Sequence, residues 1–266
     1  MNEDYDHSDK IGNEGDVVKH AILCKLVEAL LDQKKGEPFV YAESHTGAPA
    51  YTLPGGGRWV NGIGAFSKSL YREQAHDAVD LDLRYPNLAA YRNACFSEPA
   101  KVDSVYYGSS GIVFRMILRT ERAFEFRLWD SNTDVCHKLL KFYQEFPQVL
   151  VCKADGYQGL KSLGTASLAL IDPISIQDDR ALILTCMAHL SERDIPFLCW
   201  TPLFGDDHPI YDEFDKETRE SYATVRITWP LIEGGTWGCL VTTPVLYDRI
   251  LRNTTKEVCA VMKWEY

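Results

Sequence analysis

Seven short runs rich in apolar, β-branched and aromatic residues punctuate the chain, and helical segments fill most of the intervals between them. The runs are PFVYAES (38–44), AFEFRLWD (123–130), QVLVCKAD (148–155), ASLALIDP (166–173), IPFLCWTP (195–202), ATVRITWP (223–230) and WGCLVTTP (237–244). Several are continuously apolar, as strands buried on both faces must be. Helical stretches lie at 132–146, 177–192 and 210–222. Such alternation predicts an α/β fold built on a mainly parallel sheet. Only six residues (231–236) separate the last two runs, too few for a helical crossover, so that pair is predicted to be antiparallel.

A first helix is predicted from Asp16 to Leu31, where Val18, Ile22, Leu26, Ala29 and Leu30 recur at helical spacing. Residues 54–106 break the rhythm, with helical segments near 63–78 and 86–95 and no convincing strand. The expected organisation is therefore one domain from 1–53 and 107–266, with a small helical insertion at 54–106. Seven strands ending in an antiparallel hairpin outline a Rossmann-like class I methyltransferase sheet.

With 266 residues, 45% of them hydrophobic, the chain can bury a sizeable core. No apolar run is long enough to span a membrane, and the opening MNEDYDHSDK has no signal-peptide pattern, so a cytoplasmic location is expected. The eight cysteines form no C-x-x-C pair and lie at no zinc-ligand spacing from a histidine; they read as reduced thiols, and no metal site is expected. The net charge is −10, and the first sixteen residues carry six acids against Lys10. A protein that grips nucleic acid needs a basic face, so the charge disfavours RNA as a partner.

In a doubly wound sheet, ligands bind outside the carboxyl ends of the strands, so acids and glycines there are read first. Glu43 and Gly47 follow the first run, Asp130 ends the second, Asp155 and Gly156 the third, and Asp172 the fourth. A close-approach glycine, an acid for ribose hydroxyls and a polar group for an adenine edge would suit an adenosine-type cofactor. Each Asp after a strand also reads as a helix cap. His45 alone reads as a loop histidine, and Lys19 and His20 as a solvated first helical turn. GGGRW (55–59) lacks the Lys-Ser/Thr of a phosphate cradle.

The segments YDHSDKIGNEGDVVKH (5–20), YAESHTGAPAY (41–51), YYGSSGI (106–112), KADGYQGLKSL (153–163) and LALIDP (168–173) resemble, in order and spacing, the RlmJ family. Those are S-adenosylmethionine-dependent methyltransferases that act on an adenine amine of large-subunit ribosomal RNA. The resemblance implies that Lys19, His20, Glu43, His45, Gly47, Ser109, Asp155 and Gly156 surround the cofactor. An ungapped match puts the ribose acid at Trp129; a shift of one residue puts it at Asp130. It implies that Asp172 is catalytic, orienting the target amine, and that Tyr5, His7, Pro173 and Ser175 contact the acceptor.

The departures bear on the acceptor. Where the family has Asp-Pro-Pro-Tyr, this chain has Asp172-Pro173-Ile174-Ser175, losing the aromatic that stacks on the target base. The first loop reads Gly47-Ala48-Pro49 in place of a second glycine. The reading that joins these facts is N-methylation of an amine-bearing acceptor other than ribosomal RNA, a small molecule or a protein. The alternatives are an adenine methyltransferase that stacks its base on Tyr5, Trp200 or Phe204, and a cofactor-binding protein without transferase activity.

Overall fold

The computed structural model describes residues 10–33, 36–77, 80–96, 98–205, 209–231 and 234–265. The chain opens with α1 (Glu14–Gln33), β1 (Phe39–Glu43) and β2 (Ala50–Thr52). Then come α2 (Ile63–Asp77), α3 (Leu81–Arg84), α4 (Ala89–Cys95), β3 (Val105–Tyr107) and α5 (Ser109–Leu118). β4 (Phe124–Asp130), α6 (Thr133–Phe142), β5 (Val149–Lys153), α7 (Gly156–Lys161) and β6 (Leu168–Ile171) follow. The last part holds α8 (Ile176–Ser191), β7 (Phe197–Phe204), α9 (Pro209–Arg219), β8 (Ala223–Pro230), β9 (Thr236–Thr243) and α10 (Asp248–Met262).

All seven expected runs are strands of one sheet, in the order β5-β4-β1-β6-β7-β9-β8. The first five in that order run parallel to one another, while β9 lies between β7 and β8 and runs antiparallel to both. This is the Rossmann-like class I methyltransferase arrangement. Burial follows the two-residue period of the strands. Phe39, Tyr41, Phe126, Leu128, Leu168, Leu170 and Leu198 point to the face covered by α1, α5 and α10. Ala42, Trp129, Ala169, Ile171, Phe197 and Cys199 point to the face covered by α7, α8 and α9.

The first helix begins earlier than expected. The Asn13 side chain accepts from the Asp16 amide (2.9 Å), and the Asp16 carboxylate accepts from the Gly12 amide (2.8 Å). These reciprocal bonds satisfy amide groups that a helix start leaves open. Lys19 and His20 consequently stand in the second turn, buried, and not at a solvated start.

The segment expected as an insertion without strands is framed by a two-stranded ribbon of β2 and β3 outside the main sheet. Its Trp59, Phe66, Leu81 and Tyr91 are buried in the same cluster as α1 and α10. Among the described residues, these side chains thus extend the main core. The sequence reading also missed α5, α7 and α10. Seven of the eight cysteines are buried, Cys152 is exposed, and all eight are free thiols.

Candidate functional site

β1 lies between β4 on one side and β6 on the other, so the chain leaves the two edges of β1 in opposite directions. A cleft opens over the carboxyl ends of the strands at this switch point. The strand period decides which side chains reach it. Asp172 follows Leu168 and Leu170 in phase and therefore points toward α1, where Lys19 Nζ meets its Oδ2 at 2.8 Å. Lys19, one turn after Asp16, also meets that carboxylate at 3.0 Å and stands 5.0 Å from the Trp200 ring. Burial works against the ammonium, but Asp16 and Asp172 outweigh it and hold the Lys19 pKa above the ordinary lysine value.

Glu43 follows Phe39 and Tyr41 in phase, so it turns under α5 and is fully buried. The Tyr41 hydroxyl donates to it at 2.9 Å and the Ser109 hydroxyl donates to its other oxygen. Burial drives the Glu43 pKa up to about 8; Asp172 adds to the rise, while the two hydroxyls and Lys19 oppose it. Ser109 lines the cleft and Glu43 stands behind it, so Glu43 supports the wall and does not itself line it.

The loop after β1 turns at Gly47, whose φ of +65° belongs to the left-handed region that favours glycine. Its amide donates to Asp130 Oδ2 at 3.1 Å, and the Asn132 amide donates to Asp130 Oδ1 at 2.7 Å. Asp130 lines the cleft, whereas Trp129 points to the other sheet face and packs on Gly159 of α7. The strand phase thus makes Asp130 the acid that faces the cleft. Its carboxylate has about four lone-pair sites, so acceptor capacity remains for ribose hydroxyls after the two backbone bonds.

His45 lines the cleft with its ring edge-on to Tyr157 (4.8 Å) and its Nδ1 at 2.7 Å from Ser44 Oγ. Burial lowers its pKa, against the pull of Asp172, Asp179, Asp130 and Asp155. His20 also lines the cleft, and its Nδ1 lies 2.7 Å from the Tyr106 hydroxyl, which is 3.0 Å from that of Tyr91.

Besides Glu43, three expected site residues have other surroundings. Asp155 caps α7, accepting from the Tyr157 amide at 2.8 Å, and does not line the cleft. Gly156 is needed where α7 meets the loop after β1, because a Cβ there would strike the Ser44 carbonyl. Ser175 stands at the N-cap position of α8 and is off the cleft, whose lining includes Pro173 and Ile174. Tyr5 and His7 lie outside the described residues.

The sequence reading missed most of the opposite wall. Trp200, Pro202 and Phe204 share one face of β7, and cross-strand pairing sets Phe204 beside Trp237 of β9 and Trp237 beside Trp229 of β8. Phe204 meets Trp237 edge-on at 5.2 Å, and the Arg58 guanidinium stacks on Trp237 at 3.6 Å. The repeated Trp and Phe at alternate strand positions were the available signal; their pairing depended on β9 entering between β7 and β8.

No family model matches the chain. Ribosomal RNA large subunit methyltransferase J of Escherichia coli (strain K12) is 29% identical over 173 residues, covering 64% of this chain and 58% of that protein. The protein of the same name from Haemophilus influenzae is 28% identical over 194 residues, covering 68% of this chain and 62% of that one. The chain therefore spans about 60% of the length of the curated relatives it matches. Among solved structures, Legionella pneumophila protein LPL1258 superposes with a TM-score of 0.70 at 20% identity, covering 95% of this chain and 94% of that one, a likeness of fold. By sequence, this chain is similar, at 28–29% identity, to part of the ribosomal RNA large subunit methyltransferase J proteins.

Proposed function

We propose that the chain binds S-adenosylmethionine over the ends of β1 and β4 and catalyses transfer of its methyl group to the nitrogen of an amine seated at Asp172. The observation that carries this reading is the Asp172 carboxylate, held by Lys19 at 2.8 Å in the same cleft as the Gly47 turn and Asp130. Asp130 and the Gly47 loop suit the ribose, with Ser109 and His45 near the polar end of the ligand. The bound cofactor supplies an electrophilic sulfonium methyl group.

The chain's own part is positioning, because presenting a lone pair at near-attack distance removes most of the entropic barrier. Lys19 fixes one Asp172 oxygen, and the other accepts an N–H of the incoming amine and turns its lone pair toward the methyl carbon. The methyl group would come from the cofactor's sulfonium, which would keep the C–S electron pair, and positive charge would grow on the amine nitrogen. The carboxylate stabilises that charge, and the surplus proton leaves afterwards. A cytoplasmic setting goes with this reading, and no helix among the described residues is long and apolar enough to cross a membrane.

The net charge of −10 and the loss of the aromatic at Ser175 favour an acceptor other than ribosomal RNA. A second reading, an adenine of ribosomal RNA, is favoured by the names of the two curated relatives. Calorimetric titration with S-adenosylmethionine tests the common part; absence of binding at millimolar cofactor would sink it. RNA affinity measured across salt separates the two acceptors, since a phosphate-gripping surface weakens steeply as salt rises.

A further inference from the structure

The Glu43 carboxyl group is fully buried, and the ammonium that acts on it, Lys19, is already held between Asp16 at 3.0 Å and Asp172 at 2.8 Å. Its own contacts are two hydroxyls, Tyr41 on one oxygen and Ser109 on the other. Asp172, just beyond β6, and Tyr143, just beyond α6, are the other titratable groups that act on it. A buried carboxylate without a cation of its own is costly, and such a group takes up a proton instead.

The hydrogens around Glu43 can then be counted. As a carboxylate it accepts from both hydroxyls; as an acid it has an O–H of its own, which must find an acceptor inside the protein. A hydroxyl has a single hydrogen, so the one that accepts from Glu43 must send its own hydrogen elsewhere. Tyr41 is fully buried, and among the described residues its hydroxyl has no other hydrogen-bond partner. Ser109 lines the cleft, where a ligand can take the hydrogen. Protonation of Glu43 therefore reverses its bond with Ser109 and turns the Ser109 hydrogen to the cleft. Ser109 also opens the ten-residue helix α5, whose cap Gly108 offers no side chain to the first amides. Open amides and the helix dipole both favour an anion there.

Resting on the transferase reading, we infer that Glu43 is a positioning residue that acts through Ser109: the neutral acid donates to the Ser109 hydroxyl, which donates in turn to the carboxylate at the amino-acid end of the cofactor. When Glu43 ionises, Ser109 turns back to it and shows the cleft only lone pairs, which repel a carboxylate. Cofactor affinity thus falls as Glu43 loses its proton, near pH 8.

The test is calorimetric titration of the whole chain with S-adenosylhomocysteine and with methylthioadenosine, which lacks the amino-acid end. Measurements at about pH 6.5 and about pH 9.5 bracket the ionisation of Glu43. The ligand's own amino group titrates alike with every variant, so differences between the proteins carry the result. Wild type is expected to lose about tenfold more S-adenosylhomocysteine affinity at the higher pH than Glu43→Gln, the scale of one hydrogen bond to a charged group. The amide keeps a donor toward Ser109 at both pH values. Ser109→Ala should show the pH dependence of Glu43→Gln, and at the lower pH bind about tenfold more weakly than wild type. Methylthioadenosine should bind all three alike at each pH, which also verifies their fold. Equal pH dependence in wild type and either variant, or the same wild-type excess with methylthioadenosine, would overturn the inference. Failure of wild type to hold either ligand at the lower pH breaks the transferase reading instead.

Discussion

The two halves of the cleft are built from different material. On one side, parallel strands β1, β4 and β6 end in Gly47, Asp130 and Asp172, with backbone amides and hydroxyls already committed to these groups. On the other, the antiparallel strands β7, β9 and β8 contribute Trp200, Phe204, Trp237 and Trp229. The polar half is fixed by hydrogen bonds of defined direction, which suits a ligand of constant structure. The aromatic half is fixed by packing, which grips by shape and tolerates exchange. A chain of this kind can keep its chemistry while changing what it acts on.

The largest expected effect breaks the link between the halves. Asp172→Ala should lower methyl transfer by at least about 10²- to 10³-fold, the scale of losing one preorganised electrostatic group. Affinity for S-adenosylmethionine should stay within about tenfold, because a neighbouring group other than the ribose acid is lost. Full activity in this variant would remove Asp172 from the reaction. Next in size, Asp130→Ala frees both the Gly47 and the Asn132 amides. Losing charged hydrogen bonds of about 1.5–3 kcal/mol predicts about ten- to a hundredfold weaker cofactor binding. Binding of 2-aminopurine, a fluorescent adenine analogue that would probe the aromatic half, is expected to move far less, and equal losses in both would show that the halves are one unit.

Much of the polar half was legible in the sequence, because it depends on local rules. A continuous apolar run marks a buried strand, and an acid at its end falls at the ligand-binding edge, as Asp130 and Asp172 do. What the sequence left open was phase and long-range pairing. Trp129 and Asp130 are adjacent, and only the side of the sheet facing α7 tells which one reaches the cleft. The start of α8 at Ile176 takes Ser175 off the cleft and leaves Ile174 there. The aromatic wall joins residues from 200 to 237 through strand pairings that no local pattern specifies. The ion pair of Lys19 with Asp16 was not foreseen, because both residues fell in what reads as a solvated first helical turn.

The third prediction tests how the polar half is held. Glu43 has its pKa raised from 4.5 to about 8 by burial. The folded protein thus binds more protons than the unfolded chain between those values, so stability must fall as pH rises across the window. The contribution is fully present below pH 4.5 and gone above about 8. The slope is at most about 1.4 kcal/mol per pH unit. Thermal melts of wild type and Glu43→Gln from pH 5 to 9 read it, as the difference between the two. Glu43→Gln should flatten the decline, and parallel curves would show that Glu43 is ionised in the folded protein.

The smallest effect is expected at Arg58, and it sharpens the comparison from the aromatic side. Its guanidinium lies 3.6 Å from the Trp237 ring centre and so braces the wall from the segment between β2 and β3. A partly exposed cation–π contact is worth about 0.5–1 kcal/mol, so Arg58→Ala should weaken 2-aminopurine about two- to fivefold. Arg58→Lys keeps the charge but loses the flat stacking surface, so it should behave more like Ala than like wild type. S-adenosylhomocysteine binding should not change in either variant, since Arg58 touches no group of the polar half. If Arg58→Ala cost more than Phe204→Ala, charge and not shape would govern the acceptor side. The contrast between a half set by directed hydrogen bonds and a half set by packing would then fail.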